Sequence, residues 1–326
     1  MVWRLTRMRA LFFSLTLYAQ PDLTGTYDIG TVTPVQRPVT FGTRLEMTHA
    51  EAEAVEKRVA DLVANDNRVS DPNRKAPPAG ADVGSYNQLW FERGSRATRI
   101  NGKWRTSIIT DPPDGRFPSL TAKGKEIAAR NALHNRSTGD AFWLKEGLNP
   151  GPFDDPELRP LTERCLATFG TSAGPPMLPT GYNNLKRIVQ AKNRIVIVNE
   201  MIHDARVVRM NEPHEPPDIR RWLGDSVGRW EGNTLVVDTT NFNDTPSLFA
   251  ASRNLHVVER FTRLDANSLS YKFTVEDPTV WTTPWSGEVL WTATNQRIFE
   301  YACHEGNYSF QGILKGARVL ESDARR

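Results

Sequence analysis

Four side chains able to move protons fall at positions where their surroundings matter: Glu259, Glu305, His304 and His203. Glu259 belongs to Leu255-His256-Val257-Val258-Glu259-Arg260-Phe261. Alternate residues of a strand share a face, so Glu259 lies with Leu255, Val257 and Phe261. A carboxylate on an apolar face either pairs with an arginine or has a raised pKa that suits it to proton transfer. Between Ile195 and Met210, read as one strand, Glu200, Asp204 and Arg206 share a face with Val196, Val198 and Ile202. His203 takes the other face with Met201 and Ala205. The first set reads either as a charge-assisted carboxylate–guanidinium pair or as a polar stripe at a barrel mouth. His304-Glu305 follows Cys303 near the C-terminal end of an expected strand, and Gly306-Asn307 beside it marks a turn where side chains converge. His203-Asp204 and His304-Glu305 are imidazole–carboxylate pairs, but no His-x-His or His-x-x-x-His spacing accompanies them, and no metal site is expected. Trp281, Trp285 and Trp291 surround Asp277-Pro278 and Pro284, a pattern that fits either stacking on a ligand ring or filling a core. Glu200, Arg206, Trp281, Trp285 and Tyr182 are the expected substrate-binding residues.

The elements that must position these groups are mostly strands. Trp222 to Phe242 reads WLGDSVGRWEGNTLVVDTTNF, in which Glu231-Gly232-Asn233 turns into the β-branched run Thr234 to Thr240. His256 to Arg263 and Leu269 to Glu276 form a hairpin across a short Asp/Asn/Ser connection, and Leu185 to Gln190 with Ile195 to Met210 forms another. Earlier in the chain, Asp22 to Ile29 and Tyr86 to Arg93 are strand-like. Ile100-Asn101-Gly102-Lys103 is a two-residue hairpin turn. Thr48-His49-Ala50-Glu51 is a capping box ahead of a helix to about Val63, and a second helix follows Thr121 to about His134. The polar stretch Asn65 to Gly84, Asn135 to Pro160 and the triple-proline segment Gly174 to Pro179 are loops. The expectation is a mainly β, overall α+β protein. An antiparallel β-barrel or strongly curved sheet occupies the C-terminal part, 174–326, and a smaller α+β part covers 20–173.

With Trp222 to Phe242, Leu255-His256-Val257-Val258-Glu259-Arg260-Phe261, Glu276-Asp277-Pro278 and Glu300-Tyr301-Ala302-Cys303-His304-Glu305-Gly306-Asn307-Tyr308 read together, the chain resembles a large family of secreted bacterial proteins of unknown function, common in acidobacteria. The resemblance covers nearly the whole chain after the first segment. It implies secretion and implies no activity. Where such proteins usually carry Asp after Trp-Glu-Gly, this chain has Asn233. The repeated Gly-x-aromatic pattern, Gly25-Thr26-Tyr27 and Gly228-Arg229-Trp230, gives a fainter, architectural similarity to lipocalin-like barrels.

Residues 1–19 have the order of a secretory signal peptide: Arg4, Arg7 and Arg9, an apolar run, then Ala19. The run is too short for a permanent membrane span. The formal +3 charge of the chain is supplied by those three arginines, so the remainder is neutral and has no basic footprint for nucleic acid or an anionic membrane. Periplasmic or extracellular location follows. In such a compartment Cys165 and Cys303, the only cysteines, are expected to form a disulfide; buried free thiols are the alternative. No Gly-x-Ser-x-Gly elbow, no P-loop and no dinucleotide fingerprint is read from the chain, so serine-hydrolase, phosphoryl-transfer and nicotinamide chemistry lose their usual support, and no cofactor is expected. Two functions fit. One is an acid/base enzyme, a lyase, isomerase or hydrolase, acting on a small cyclic or apolar molecule in the barrel. The other is a binding protein that only encloses such a ligand. The oligomeric state is not legible.

Overall fold

The structure is a computed structural model and describes residues 20–69, 73–76, 91–136, 139–167 and 172–326. The expected signal peptide lies outside the described residues, as does most of the expected strand Tyr86 to Arg93, of which residues 91–93 are described as irregular.

Nine strands close into a barrel: β1 (Gly25–Asp28), β6 (Leu185–Gln190), β7 (Arg194–Asn199), β8 (Ala205–Met210), β9 (Asp225–Glu231), β10 (Thr234–Thr240), β11 (His256–Asp265), β12 (Ser268–Glu276) and β13 (Trp285–Ala293). Each neighbours the next in that order, and β13 returns to β1 through Tyr27↔Ala293 and Asp28↔Thr292. The mainly β architecture expected from the sequence is thus present. Its closure differs in two ways. One stave, β1, comes from the 20–173 region that the sequence reading set apart. The pair β8–β9 is parallel, with Val208 opposite Ser226. That follows from the connection 211–224, which leaves the end of β8 and returns alongside it before β9 begins.

The stretch Ile195 to Met210 is two strands instead of one. A 3-10 turn at Met201–His203, with Ile202 and His203 at positive φ, separates β7 from β8. Strand parity therefore does not run through it. Beyond β13 the expected barrel region to residue 326 contains no further strand. It holds α4 (Tyr308–Ala324), whose Ile313, Ala317 and Leu320 pack on Phe142 and Trp143 of the one-turn helix α3 (Phe142–Lys145) and on Phe153. Spacing of three and four residues puts those side chains on one helix face, a helical period that a strand reading passes over. The Cys165–Cys303 disulfide ties the segment before α4 to the loop after residue 160.

The smaller elements follow their local signals. Thr48 caps α1 (His49–Asp66) in a capping box with Glu51. Thr121 caps α2 (Ala122–Ala132), where Gly124 is required because a Cβ there would lie 2.4 Å from the Val280 carbonyl oxygen. The turn between β3 (Arg99–Ile100) and β4 (Lys103–Arg105) has Asn101 and Gly102 both at positive φ, as that turn demands. β2 (Glu46–Met47) joins them in a three-stranded sheet, and β5 (Ile109–Asp111) pairs with the first residues of β13.

The barrel interior is filled by side chains. Tyr27, Phe261, Tyr271 and Trp291 pack ring against ring, with Phe273, Trp285 and Trp281 continuing the cluster. Among them sit Arg206 and Glu259, both essentially inaccessible, joined by two hydrogen bonds of 2.5 and 2.9 Å. The Tyr271 hydroxyl donates to Glu259 at 2.7 Å and accepts from the Met177 N–H at 2.9 Å. Removing one member of a buried ion pair strands the other charge, typically at 3 to 5 kcal/mol. We therefore expect Glu259→Gln to lower unfolding free energy by about 3 kcal/mol or more, whereas the double change Arg206→Met with Glu259→Leu costs less. Urea denaturation of the three proteins checks the order, and an equal or smaller loss in Glu259→Gln contradicts it.

Candidate functional site

The residues marked out from sequence do not share one open cavity. Glu259 and Arg206 form the buried pair just described. Glu200 is buried at the same end of the barrel and accepts weakly from the Leu185 and Phe299 N–H groups, each at 3.4 Å. His203 is exposed on the 3-10 turn, its Nδ1 3.2 Å from the Tyr301 carbonyl. His304 and Glu305 are exposed in the turn ahead of α4 and not at a strand end. Trp281 and Trp285 are core residues in edge-on contact, with no face open to a ligand, and Tyr182 stands edge-on to Phe91. What the turn at 201–203 does bring together is Glu200, His203 and the segment 299–301, a consequence of the break that separates β7 from β8.

The segment 172–180 plugs this end of the barrel. Met177 inserts against Tyr271 and Arg206, and the Ala173 carbonyl accepts from the Asn199 side chain. Ser172 Oγ lies 3.1 Å from the ammonium of Lys186, a fully buried lysine on β6. Burial lowers the Lys186 pKa to about 7, against the opposing pull of Glu200 and Asp28. Gly170-Thr171-Ser172-Ala173-Gly174 does carry the Gly-x-Ser-x-Gly spelling of a serine nucleophile, which corrects the expectation that none occurs. The elbow that gives this spelling its meaning needs a helix after the serine. Here a proline-containing loop follows, and both Ser172 and Lys186 are closed off from solvent.

The accessible chemistry is on the outer wall. Five side chains alternate carboxylate and imidazole: Asp225, His214, Asp238, His256 and Glu276. His214 Nδ1 is 3.0 Å from Asp225 and its Nε2 is 3.1 Å from Asp238 Oδ1. The same Asp238 oxygen is 3.1 Å from His256 Nε2, and His256 Nδ1 is 3.5 Å from Glu276. Pairing explains the assembly, because β11 sets His256 opposite Glu276 on β12 and β10 sets Asp238 opposite Val258, one step along the same outer face. His214 reaches in from the connection 211–224.

Asp225 anchors the chain. It is buried, which pushes its pKa up, but the Glu215 N–H, His214 and the Arg209 guanidinium hold it below the ordinary carboxylate value. The hydrogen bond from His256 does the same for Asp238. His256 moves the other way. Its bond to Asp238 raises its pKa above 6.5, partial burial opposes this, and Glu276 adds to the rise. The ring is one-third exposed and held by its Nε2, with the looser Nδ1 bond toward half-exposed Glu276, an arrangement that can orient a proton on the imidazole when it is protonated.

Beside this chain is an open groove of about 290 Å³, bounded by Leu45 from the small sheet's edge, Thr110 from β5, and Val258, Arg260, Thr274 and Glu288 from the barrel wall. Val258 is the next residue after His256 on that face, about 7 Å along the strand. Arg260, two steps beyond His256 on that face, pairs with Glu231 at 2.7 Å. Asp238 and His214 were missed. Asp238 carried a usable signal, an acid on the outer face of a β-branched strand, but His214 sits in a proline-rich connection with no period to place it. Among the described residues, no group of three or more His, Cys, Asp or Glu side chains is arranged to hold a metal ion.

No protein-family model matches the chain, and no curated protein or solved structure matches it.

The buried lysine has a measurable consequence. Between pH 7 and 10.5 the unfolded chain keeps a proton on Lys186 that the folded chain has released, so this group makes stability rise with pH across that window. Below pH 7 the full penalty of charging it in the interior remains. Lys186→Met removes the dependence. Relative to the parent, the variant should be more stable at pH 6.5 than at pH 9.5 by roughly 3 kcal/mol, read from urea denaturation at the two values. Parallel pH profiles contradict the assignment.

Proposed function

We propose that this is a secreted small-molecule-handling protein acting as an acid/base enzyme of the lyase, isomerase or hydrolase type, with its chemistry on the outer wall of the barrel. His256 is the proton donor, Asp238 its positioning residue, and Glu276 the neighbouring group that exchanges the proton with solvent. The groove past Val258 takes the substrate. A single observation carries this reading. His256 is held between two carboxylates with its proton affinity raised, one step along the outer face from Val258, which lines an open groove, while Glu259 and Lys186 are sealed inside.

Support for secretion comes from the leader-like first segment, the disulfide and the resemblance to secreted proteins. Among the described residues no helix is long and apolar enough to cross a membrane. A periplasmic or extracellular site of action agrees with these features. The carrier reading is less favoured: it needs an open apolar lumen, and at the interior positions of this barrel stand Tyr27, Phe261, Tyr271 and Trp291.

General acid catalysis by a positioned side chain contributes typically about 10²- to 10⁴-fold. Incubation with panels of activated esters, lactones, aryl glycosides and β-elimination substrates should reveal turnover of one class. That turnover should fall about 100-fold or more in His256→Gln and by a smaller factor in Asp238→Asn, with circular dichroism unchanged. Turnover that survives His256→Gln, or no turnover of any class, contradicts the proposal.

A further inference from the structure

A second recess lies at the opposite end of β11, away from His256. It encloses about 740 Å³ between the start of β1, Arg187 on β6, Arg263 near the end of β11 and the segment 293–298 after β13. The seven residues from His256 to Arg263 place it about 23 Å along the strand from the proposed acid.

Its lining is chemically one-sided. Three guanidinium groups, those of Arg187, Arg263 and Arg297, share it with Thr, Asn and Gln side chains and with no carboxylate. Arg263 is held firmly, but by neutral acceptors. Its Nε donates to the Asp22 carbonyl at 2.9 Å, its Nη2 to the Tyr27 hydroxyl at 2.9 Å, and its Nη1 to the Asp265 and Ala266 carbonyls at 3.3 and 3.4 Å. The two nearby acids are turned to backbone donors. The Asp22 carboxylate accepts from the Thr24 N–H and that of Asp265 from the Asn267 N–H, so neither closes an ion pair with Arg263, although each feels its charge. Arg187 and Arg297 form no ion pair within 4.0 Å among the described residues.

In a chain whose charges balance once the first three arginines are set aside, a pocket with three cations and no acid is a local excess that an anion would neutralise. The guanidinium forks of Arg187 and Arg297 match the two oxygens of a carboxylate or phosphate, and Arg263, with one Nη2 N–H left over, adds a fixed positive charge and a single oriented donor. The volume suits a small molecule, and the amide and hydroxyl side chains around the cations suit its uncharged polar groups. We propose that this recess is a binding site for a small polar oxyanion, a carboxylated or phosphorylated molecule of about sugar size, separate from the site of proton transfer.

Isothermal titration calorimetry with sodium D-glucuronate and with sodium phosphate distinguishes the two oxyanions, and D-glucose serves as the neutral control. Saturable binding of at least one anion is expected, weakened by added salt and absent for glucose. The double change Arg187→Gln with Arg297→Gln, two exposed side chains without ion-pair partners, should weaken it about tenfold or more and leave the fold intact. His256→Gln should leave it unchanged, which separates failure here from failure of the acid/base reading. Absence of saturable binding by both anions, equal binding of glucose, or binding indifferent to the double change overturns the proposal.

Discussion

The structure depends on closure of a nine-stranded barrel around an interior that has to be filled. A closed sheet has no edges to protect, but the space it encloses must be occupied by side chains or by a ligand. Here aromatic rings occupy it, and the 172–180 segment stoppers one end with Met177. Arg206 and Glu259 are tolerated inside because each meets the other's charge, and the Tyr271 hydroxyl also donates to Oε1, the oxygen that accepts from Arg206 Nη2. Once the interior is committed in this way, side chains that exchange protons with solvent have to face outward. The alternation of a strand guarantees such positions on every stave.

That constraint also accounts for the shape of the candidate site. The outer wall of a barrel is convex and offers little shelter by itself. The β2–β4 sheet and β5 lie near it and turn part of the wall into a groove. The carboxylate–imidazole chain runs beside that groove at the ends of β9 to β12, fixed at one end by Asp225 with Arg209 and the Glu215 N–H. A chain anchored by a buried, multiply bonded carboxylate holds its exposed members in place at small entropic cost.

Much of the fold was legible because local patterns and global packing agree. The runs Thr234 to Thr240, His256 to Arg263 and Leu269 to Glu276 alternate or are β-branched, and each is a strand. The capping box at Thr48 and the turn at Asn101-Gly102 say the same thing locally and globally. The failures have separate physical causes. Ile195 to Met210 has continuous strand propensity, yet the chain must leave β7 and re-enter as β8, and the tight turn at Ile202-His203 overrides propensity. The strand expected to end at Cys303 has no partner to pair with, and the helical spacing of Ile313, Ala317 and Leu320 was overlooked. As for the site, an apolar neighbourhood correctly flagged Glu259 as unusual, and of the two outcomes held open for it the ion pair is the one present. The chain from Asp225 to Glu276 needs the register of four strands and one connection, and no single segment contains that information.

The central claim is that Asp238 and Glu276 hold His256 as an oriented proton donor on the outer wall. NMR titration of the His256 imidazole, assigned by its loss in His256→Gln, measures this directly. The account predicts a pKa above the ordinary 6.5 in the parent protein and a return toward 6.5 in Asp238→Asn. A value at or below 6.5, or one that Asp238→Asn leaves in place, contradicts it.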